Sequence, residues 1–302
     1  MKQIVIISGK GGTGKTILTA SFAALAKNKV MVDCDVDAAD LHLLLNPNIK
    51  EKNEFRSGKT ARIDKEKCVK CGKCIEVCRF SAIGVSPPDR QVGVSGGEAI
   101  NDDFEIDAVA CEGCGLCSHI CPVNAITMEE NLSGEWFISE TKYGPFVHAK
   151  LGIAEENSGK LVSKIRQVAK EIAEREKLDY VIIDGPPGIG CPVIASLAGV
   201  DLAIIVTEPT LSGIHDMQRV LEVAEHFNIK ATVVINKYDL NLENSQLIEE
   251  FCKEKSINII GRILFSLEVN HSIVKAVSAV EFCTGAVREE IISIWKNVMD
   301  NA

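Results

Sequence analysis

Short apolar runs recur along the chain, each followed by a segment whose apolar residues fall three or four apart. Lys2 to Ser8 is apolar and β-branched and reads as a buried strand, and Ile17 to Lys29 has helical spacing. Val30 to Asp35 reads as a second buried strand ending in carboxylates. Val36 to Leu41 lead into a short helix through Leu45, stopped near Pro47. Asn48 to Lys59 is polar and irregular. Glu135 to Ile138 and Phe146 to Leu151 read as a strand pair rejoining the main sheet. Ser158 to Lys177 is a long amphipathic helix with Leu161, Val162, Ile165, Val168, Ala169 and Ile172 on one face. Next come a strand from Leu178 to Asp184, a helix from about Val193, a strand from Leu202 to Thr207 and a helix from Ser212 to Phe227. A strand from Ala231 to Ile235, a helix from Ser245 to Lys255 and a strand from Ile257 to Arg262 follow. The last helices lie near Ser272 to Ala279 and Ala286 to Met299. Strands alternating with helices predict a doubly wound, mostly parallel α/β sheet, with ligands at the strand C-termini.

The alternation stops between about Thr60 and Glu130, where short strands, glycines and cysteines replace it. The expected organisation is an α/β domain in two parts, 1–59 and 131–302, with a small α+β insert at 60–130. A length of 302 residues and 46% hydrophobic content suffice for a substantial core. The net charge of −9 leaves no basic face for nucleic acid. No apolar run has the length of a membrane span. The chain begins inside a strand, without a charged n-region and apolar h-region, so a cytoplasmic location is expected. Val287 to Met299 mixes Arg288, Glu289, Glu290 and Lys296 into its apolar pattern, and reads as a packed helix instead of a membrane anchor.

Behind the first strand stands Gly9-Lys10-Gly11-Gly12-Thr13-Gly14-Lys15-Thr16, which fits G-x-x-x-x-G-K-[ST]. The bland alternative, a glycine-rich turn with a chance lysine, lacks this strand–loop–helix context. The glycines turn backbone N–H groups inward into an anion nest, and the next helix aims its positive end at the same place. Lys15 would reach the β- and γ-phosphates, and the Thr16 hydroxyl would ligate Mg²⁺. Asp35 and Asp37 are candidates for the Mg²⁺ shell or the attacking water. Helix capping by Asp37 or Asp40 is the bland alternative, and the better reading for Asp40. Tyr180-Val181-Ile182-Ile183-Asp184-Gly185-Pro186-Pro187-Gly188 delivers an aspartate into a Gly/Pro turn in the Walker B manner. Asp184 would hold Mg²⁺ and Gly188 would offer an N–H to the γ-phosphate. Asn236-Lys237-Tyr238-Asp239 taken alone suggests guanine recognition.

The cysteines change the picture most. Cys68, Cys71, Cys74 and Cys78 are spaced C-x2-C-x2-C-x3-C, and Cys111, Cys114, Cys117 and Cys121 repeat that spacing, followed by Pro122. In the bacterial ferredoxin run, three cysteines serve one cluster and the fourth serves the other. Cys68, Cys71, Cys74 and Cys121 are thus expected around one [4Fe–4S] cluster, and Cys111, Cys114, Cys117 and Cys78 around a second. Paired zinc knuckles are the competing use of C-x2-C, and the triplet with a crossing fourth cysteine disfavours them. Arg79 departs from the proline expected after Cys78. The linker holding Pro87-Pro88 and Gly96-Gly97 is expected to be a long flexible loop. Cys34, Cys252 and Cys283 sit in apolar patterns and read as core. The six histidines show no paired ligand spacing.

On Lys10 to Thr16, Asp184 to Gly188 and the doubled cysteine run, the chain resembles a MinD-type P-loop ATPase carrying an inserted bacterial-type ferredoxin domain. That class includes the nitrogenase iron protein, the Mrp iron–sulfur carriers and the ParA and MinD positioning ATPases. The resemblance implies ATP with Mg²⁺ and an ATP-sandwich homodimer in which Lys10 reaches the partner's nucleotide. It implies that Asp35 positions the water, that Asp184 senses the γ-phosphate, and that Asn236, beside Lys237, bonds the adenine. Gly11, Gly12, Thr13 and Gly14 complete the phosphate loop. Cys191 lies where the nitrogenase iron protein has a cluster ligand. A bridging cluster needs a second cysteine, and no C-x-x-C stands outside the insert, so Cys191 is expected to be a packed or weakly reactive thiol. Slow or partner-stimulated hydrolysis would drive electron transfer through the two clusters to a redox or metalloprotein client. A cluster-carrier or metallocentre-maturation ATPase and a MinD-like positioning ATPase are the alternatives.

Overall fold

The computed structural model describes residues 1–85, 103–152 and 158–301. The elements run β1 (Lys2–Ser8), α1 (Lys15–Leu25), β2 (Lys29–Asp33), α2 (Leu41–Leu45), β3 (Asn48–Ile63), α3 (Lys73–Val77), β4 (Ile83–Val85), β5 (Phe104–Ile106), α4 (Leu116–Ile120), β6 (Ile126–Thr141) and β7 (Gly144–Leu151). They continue α5 (Ser158–Glu176), β8 (Tyr180–Pro187), α6 (Cys191–Leu197), β9 (Leu202–Thr207), α7 (Leu211–His226), β10 (Ala231–Asn236), α8 (Leu242–Glu254), β11 (Asn258–Ile263), α9 (Leu267–Val274), α10 (Ala279–Phe282) and α11 (Gly285–Asn301). The chain divides into two units. The first comprises Met1–Glu54, Gly134–Leu151 and Ser158–Ala302, the second Phe55–Ser133 and Gly152–Asn157. The Pro87-Pro88 and Gly96-Gly97 linker lies outside the described residues.

A sheet ordered β11-β10-β9-β1-β8-β2-β7-β6-β3 organises the first unit. Every pair from β11 to β7 is parallel, and β6 returns antiparallel to β7, from Gly134 opposite Leu151 to Thr141 opposite Gly144. The apolar runs fill its centre: Ile4 to Ile7, Val30 to Val32, Val181 to Ile183 and Leu202 to Ile205 are all closed to solvent. Fully buried parallel strands carry no polar alternation, which is why these runs read so plainly. The C-terminal helix α11 is packed, as expected, burying Ile291, Ile294, Trp295 and Val298. Trp295 packs against Phe22 of α1, with ring centroids 5.1 Å apart and the planes tilted by 49°.

Two expectations fail here. Asn48 to Lys59 is not irregular but most of β3, a 16-residue strand beside β6. From Asn48 to Gly58 it buries no residue, so nothing in its side chains signals a strand. Backbone pairing and surface contacts such as Lys52–Glu135 at 2.8 Å hold it. The helix drawn from Ser272 to Ala279 actually starts at Leu267 and ends at Val274. Ser266 is its N-cap, with Oγ accepting Glu268 N–H at 3.1 Å, a local signal that periodicity passes over.

The second unit is a doubled motif. Lys70 and Gly113, Gly72 and Gly115, and Ser81 and Asn124 occupy equivalent places in the two cysteine runs, and all have left-handed backbone. Gly72 and Gly115 start α3 and α4. Asp64 Oδ1 accepts the N–H groups of Glu66 and Lys67, and Asp107 Oδ1 those of Val109 and Ala110. The halves clasp each other crosswise. Asp64 N–H donates to Ala125 O and Asp107 N–H to Ala82 O, both at 2.8 Å. Ala61, Cys74, Ile83, Cys117 and Ile126 form a small buried core. The longer stretch of this unit runs from Phe55 to Ser133.

Candidate functional site

At the C-terminal ends of β1, β2 and β8, the loop Gly9–Gly14 turns into α1. Gly12 (φ 80°) and Gly14 (φ 93°) are left-handed, and Gly14 is the N-cap of the helix. A cavity of about 510 Å³ opens over this loop. Gly11 to Thr16, Asp35, Asn236 and Lys237 line it, so most of the predicted nucleotide set stands together. Its far wall is Leu264 to Ser266 with Val269, Asn270 and Ile273, brought there by a helix α9 that starts at Leu267, ahead of the expected Ser272.

Lys15 is buried among carboxylates. Its Nζ pairs with Asp35 Oδ2 at 3.2 Å. Burial opposes its charge, but Asp184, Asp35 and Asp33 together hold its pKa above the ordinary value. β2 and β8 are neighbours with Asp33 opposite Asp184, so the parallel register sets two closed-off carboxylates side by side. Burial pushes both carboxyls up, Asp33 also because Asp184 stands beside it. Asp33 was not among the predicted residues, although the alternation Asp33, Asp35, Asp37 was a usable signal. Asp33 Oδ1 accepts Asp35 N–H at 3.1 Å and Oδ2 accepts Leu41 N–H at 3.2 Å. Asp33 therefore caps α2, and Asp40, at the N-cap position, makes no side-chain cap bond, contrary to expectation. Asp37 is exposed.

Thr19, one turn beyond Lys15, was also missed; its Oγ1 donates to Asp184 Oδ1 at 2.9 Å. Asp184 Oδ2 and Thr13 Oγ1 are buried with no partner. An orphaned carboxylate oxygen in an acidic cluster beside a threonine-bearing phosphate loop fits a hard divalent cation. Asp184, Asp35 and Thr16 are the residues that would hold it.

Three predicted residues are engaged in ways the sequence did not indicate. Lys10 Nζ lies 3.1 Å from Thr210 Oγ1, 3.4 Å from Ser212 Oγ and 3.5 Å from Glu208 Oε2, all within its own chain. Gly188 N–H donates to Ser8 O at 2.9 Å. Asn236 Nδ2 donates to Thr13 O at 2.8 Å, tying β10 to the phosphate loop.

In the second unit, Cys68, Cys71, Cys74 and Cys121 line one small cavity, and Cys78, Cys111, Cys114 and Cys117 line another. Each takes three cysteines from one run and the fourth from the other. The remaining lining is largely apolar, including Ile63, Phe104 and Ile126 in the first, and Ile83, Ile106 and Met128 in the second. Among the described residues no three His, Cys, Asp or Glu side chains close on a single point as they would around one metal ion. Cys34, Cys252 and Cys283 are buried, as expected. Cys191 is exposed at the start of α6, so it is not a packed thiol. His148 lies between Phe146 and Phe137, and burial lowers its pKa to about 4. No helix among the described residues is long and apolar enough to cross a membrane.

Residues 4–278 match the CobQ/CobB/MinD/ParA nucleotide binding domain family. The chain is similar to an uncharacterized protein of Methanocaldococcus jannaschii, 38% identical over 243 residues that make up 79% of either chain. A shorter stretch of 106 residues, 34% of either chain, is 31% identical to the iron–sulfur cluster carrier protein of that organism. The solved structure of the MinD cell division protein of Aquifex aeolicus superimposes with a TM-score of 0.57 at 19% identity, covering 100% of this chain and 98% of that one.

Proposed function

We propose that this chain, a P-loop ATPase belonging to the CobQ/CobB/MinD/ParA nucleotide-binding family, uses ATP-driven dimer switching to govern electron transfer through two [4Fe–4S] clusters held by its second unit. The observation that carries the proposal is the lining of the two cysteine cavities. Four thiols spread around each, three from one run and one from the other, match the crossed ligation of a two-cluster ferredoxin. The soft donor set and apolar lining fit such clusters, which would supply one-electron redox chemistry when bound.

In the first unit, Lys15 and the N–H groups of Gly11 to Gly14 hold the phosphates of ATP. Asp184 and Thr16, with Asp35 beside them, would hold Mg²⁺, which would draw charge from the phosphate oxygens. Asp35, released from Lys15 as the phosphates take over that lysine, orients the attacking water. Lys10 leaves Thr210, Ser212 and Glu208 to stabilise charge on the partner's transferring phosphate, as an arginine finger does elsewhere. Gly188 gives up Ser8 O to reach the γ-phosphate, so bound triphosphate changes the turn that leads into α6. Those exchanges favour ATP closing a homodimer.

The test is chemical. Anaerobically reconstituted chain should hold about eight irons and eight labile sulfides, and dimerise with MgATP but not with MgADP. A chain that binds one zinc per run and takes up no sulfide would sink the proposal. The similarity to a cluster carrier favours a second reading, delivery of clusters or metal to a client. Delivery predicts nucleotide-dependent loss of iron to an apo-acceptor, whereas electron transfer predicts retention through repeated redox cycles.

A further inference from the structure

Asn236-Lys237-Tyr238-Asp239 has the spacing at which a carboxylate reads guanine, accepting from N1–H and the 2-amino group. In the structure one oxygen of that exposed carboxylate is engaged outside the cavity. Asp239 Oδ1 accepts Phe265 N–H at 2.7 Å. The rest of the run is engaged too. Asn236 turns its amide to Thr13 O and Lys237 N–H, and Lys237 Nζ pairs with Glu208. Phe265, Ser266 and Asn270 line the nucleotide cavity, while Asp239 does not. Phe265 is also the last residue before the Ser266 N-cap, so fixing its N–H fixes where α9 begins.

We propose that Asp239 is a positioning residue. It pins the wall of the base subsite through Phe265 N–H, and thereby withdraws from the base the carboxylate that would select guanine. The proposal rests on reading the Gly11–Thr16 cavity as a nucleotide site. The purine then meets the Asn236 edge and the Phe265–Asn270 wall, an environment that accepts adenine.

Equilibrium binding of fluorescent ATP, GTP and XTP analogues to the full chain with Mg²⁺ tests this, using wild type, Asp239→Ala, Asp239→Asn and Lys15→Ala. Wild type should bind ATP at least about tenfold more tightly than GTP. Asp239→Ala loses a charge-assisted hydrogen bond and should weaken ATP about tenfold. Asp239→Asn keeps an acceptor oxygen for Phe265 N–H and should stay within about threefold of wild type, without gaining XTP. Three results would overturn the proposal: GTP preference in wild type, transfer of Asp239→Asn to XTP (whose 2-oxo group an amide donor matches), or unchanged ATP affinity in Asp239→Ala. If Asp239→Ala fails to fold, the Asp239→Asn comparison still decides. Binding of all three nucleotides that survives Lys15→Ala would instead remove the cavity reading beneath it.

Discussion

Asp184→Asn should make the nucleotide-free chain more stable at neutral pH while abolishing its stabilisation by MgATP. Asp184 is 1% exposed, faces Asp33 across adjacent strands, and has Lys15 as the cation that offsets burial. An asparagine oxygen can still accept from Thr19 as Asp184 Oδ1 does. Burial raises the Asp184 carboxyl even though Lys15 opposes the shift, so the folded chain carries a charge it would hold more cheaply as a neutral group. Relief of that charge should raise the melting temperature of the nucleotide-free chain at pH 7. The pH dependence has a definite sign. A carboxyl raised in the folded state contributes stability that is full below about pH 3.9 and is lost as pH rises through the folded value. Wild type should gain stability as pH falls from 7 towards about 5, and Asp184→Asn should gain less. Thermal unfolding at both pH values, with and without MgATP, measures this. A variant that melts below wild type at pH 7, yet is still stabilised by MgATP to the wild-type extent, would refute the reasoning.

Three further outcomes follow from the geometry. At Gly14, a Cβ would lie 2.4 Å from Asn236 Nδ2 on a backbone with φ 93°, so Gly14→Ala should weaken ATP binding at least about tenfold by isothermal titration. Lys10→Ala should abolish turnover while sparing much of the ATP binding; persistent phosphate release would remove the trans-lysine role. Cys78→Ser and Cys114→Ser should each perturb the same cluster signal in electron paramagnetic resonance, and Cys121→Ser the other, with half the iron at risk in each case. Cys78→Ser acting with Cys68→Ser instead would contradict the crossed assignment.

The legible parts of the fold were those where burial dictates sequence. Ile4 to Ile7 and Leu202 to Ile205 are closed on both faces, so their runs are uninterrupted. β3 was illegible because no residue of Asn48–Gly58 is fully buried, and of its half-buried positions, Asn53, Phe55 and Ser57, only Phe55 is apolar. The phosphate loop could be read from its glycines, two of which, Gly12 and Gly14, take the left-handed backbone that glycine adopts at least cost. Asp33 and Thr19 escaped because their roles depend on β2 lying beside β8 and on the turn of α1 above Asp184, which are relations between distant segments. The cysteine repeat was legible as spacing, and its cross-clasp of Asp64 to Ala125 and Asp107 to Ala82 emerges only in three dimensions. The cis contacts of Lys10 left no mark on the sequence, since Glu208, Thr210 and Ser212 read there only as a strand end and a helix start.

In the proposed function, nucleotide state would govern redox centres held by the cysteines. The most direct test is a spectroscopic redox titration of the reconstituted chain without nucleotide, with MgADP and with MgATP, beside Lys15→Ala. A midpoint potential or reduction rate that changes with MgATP in wild type, and not in Lys15→Ala, is the predicted result. Identical titrations under all three conditions would contradict it.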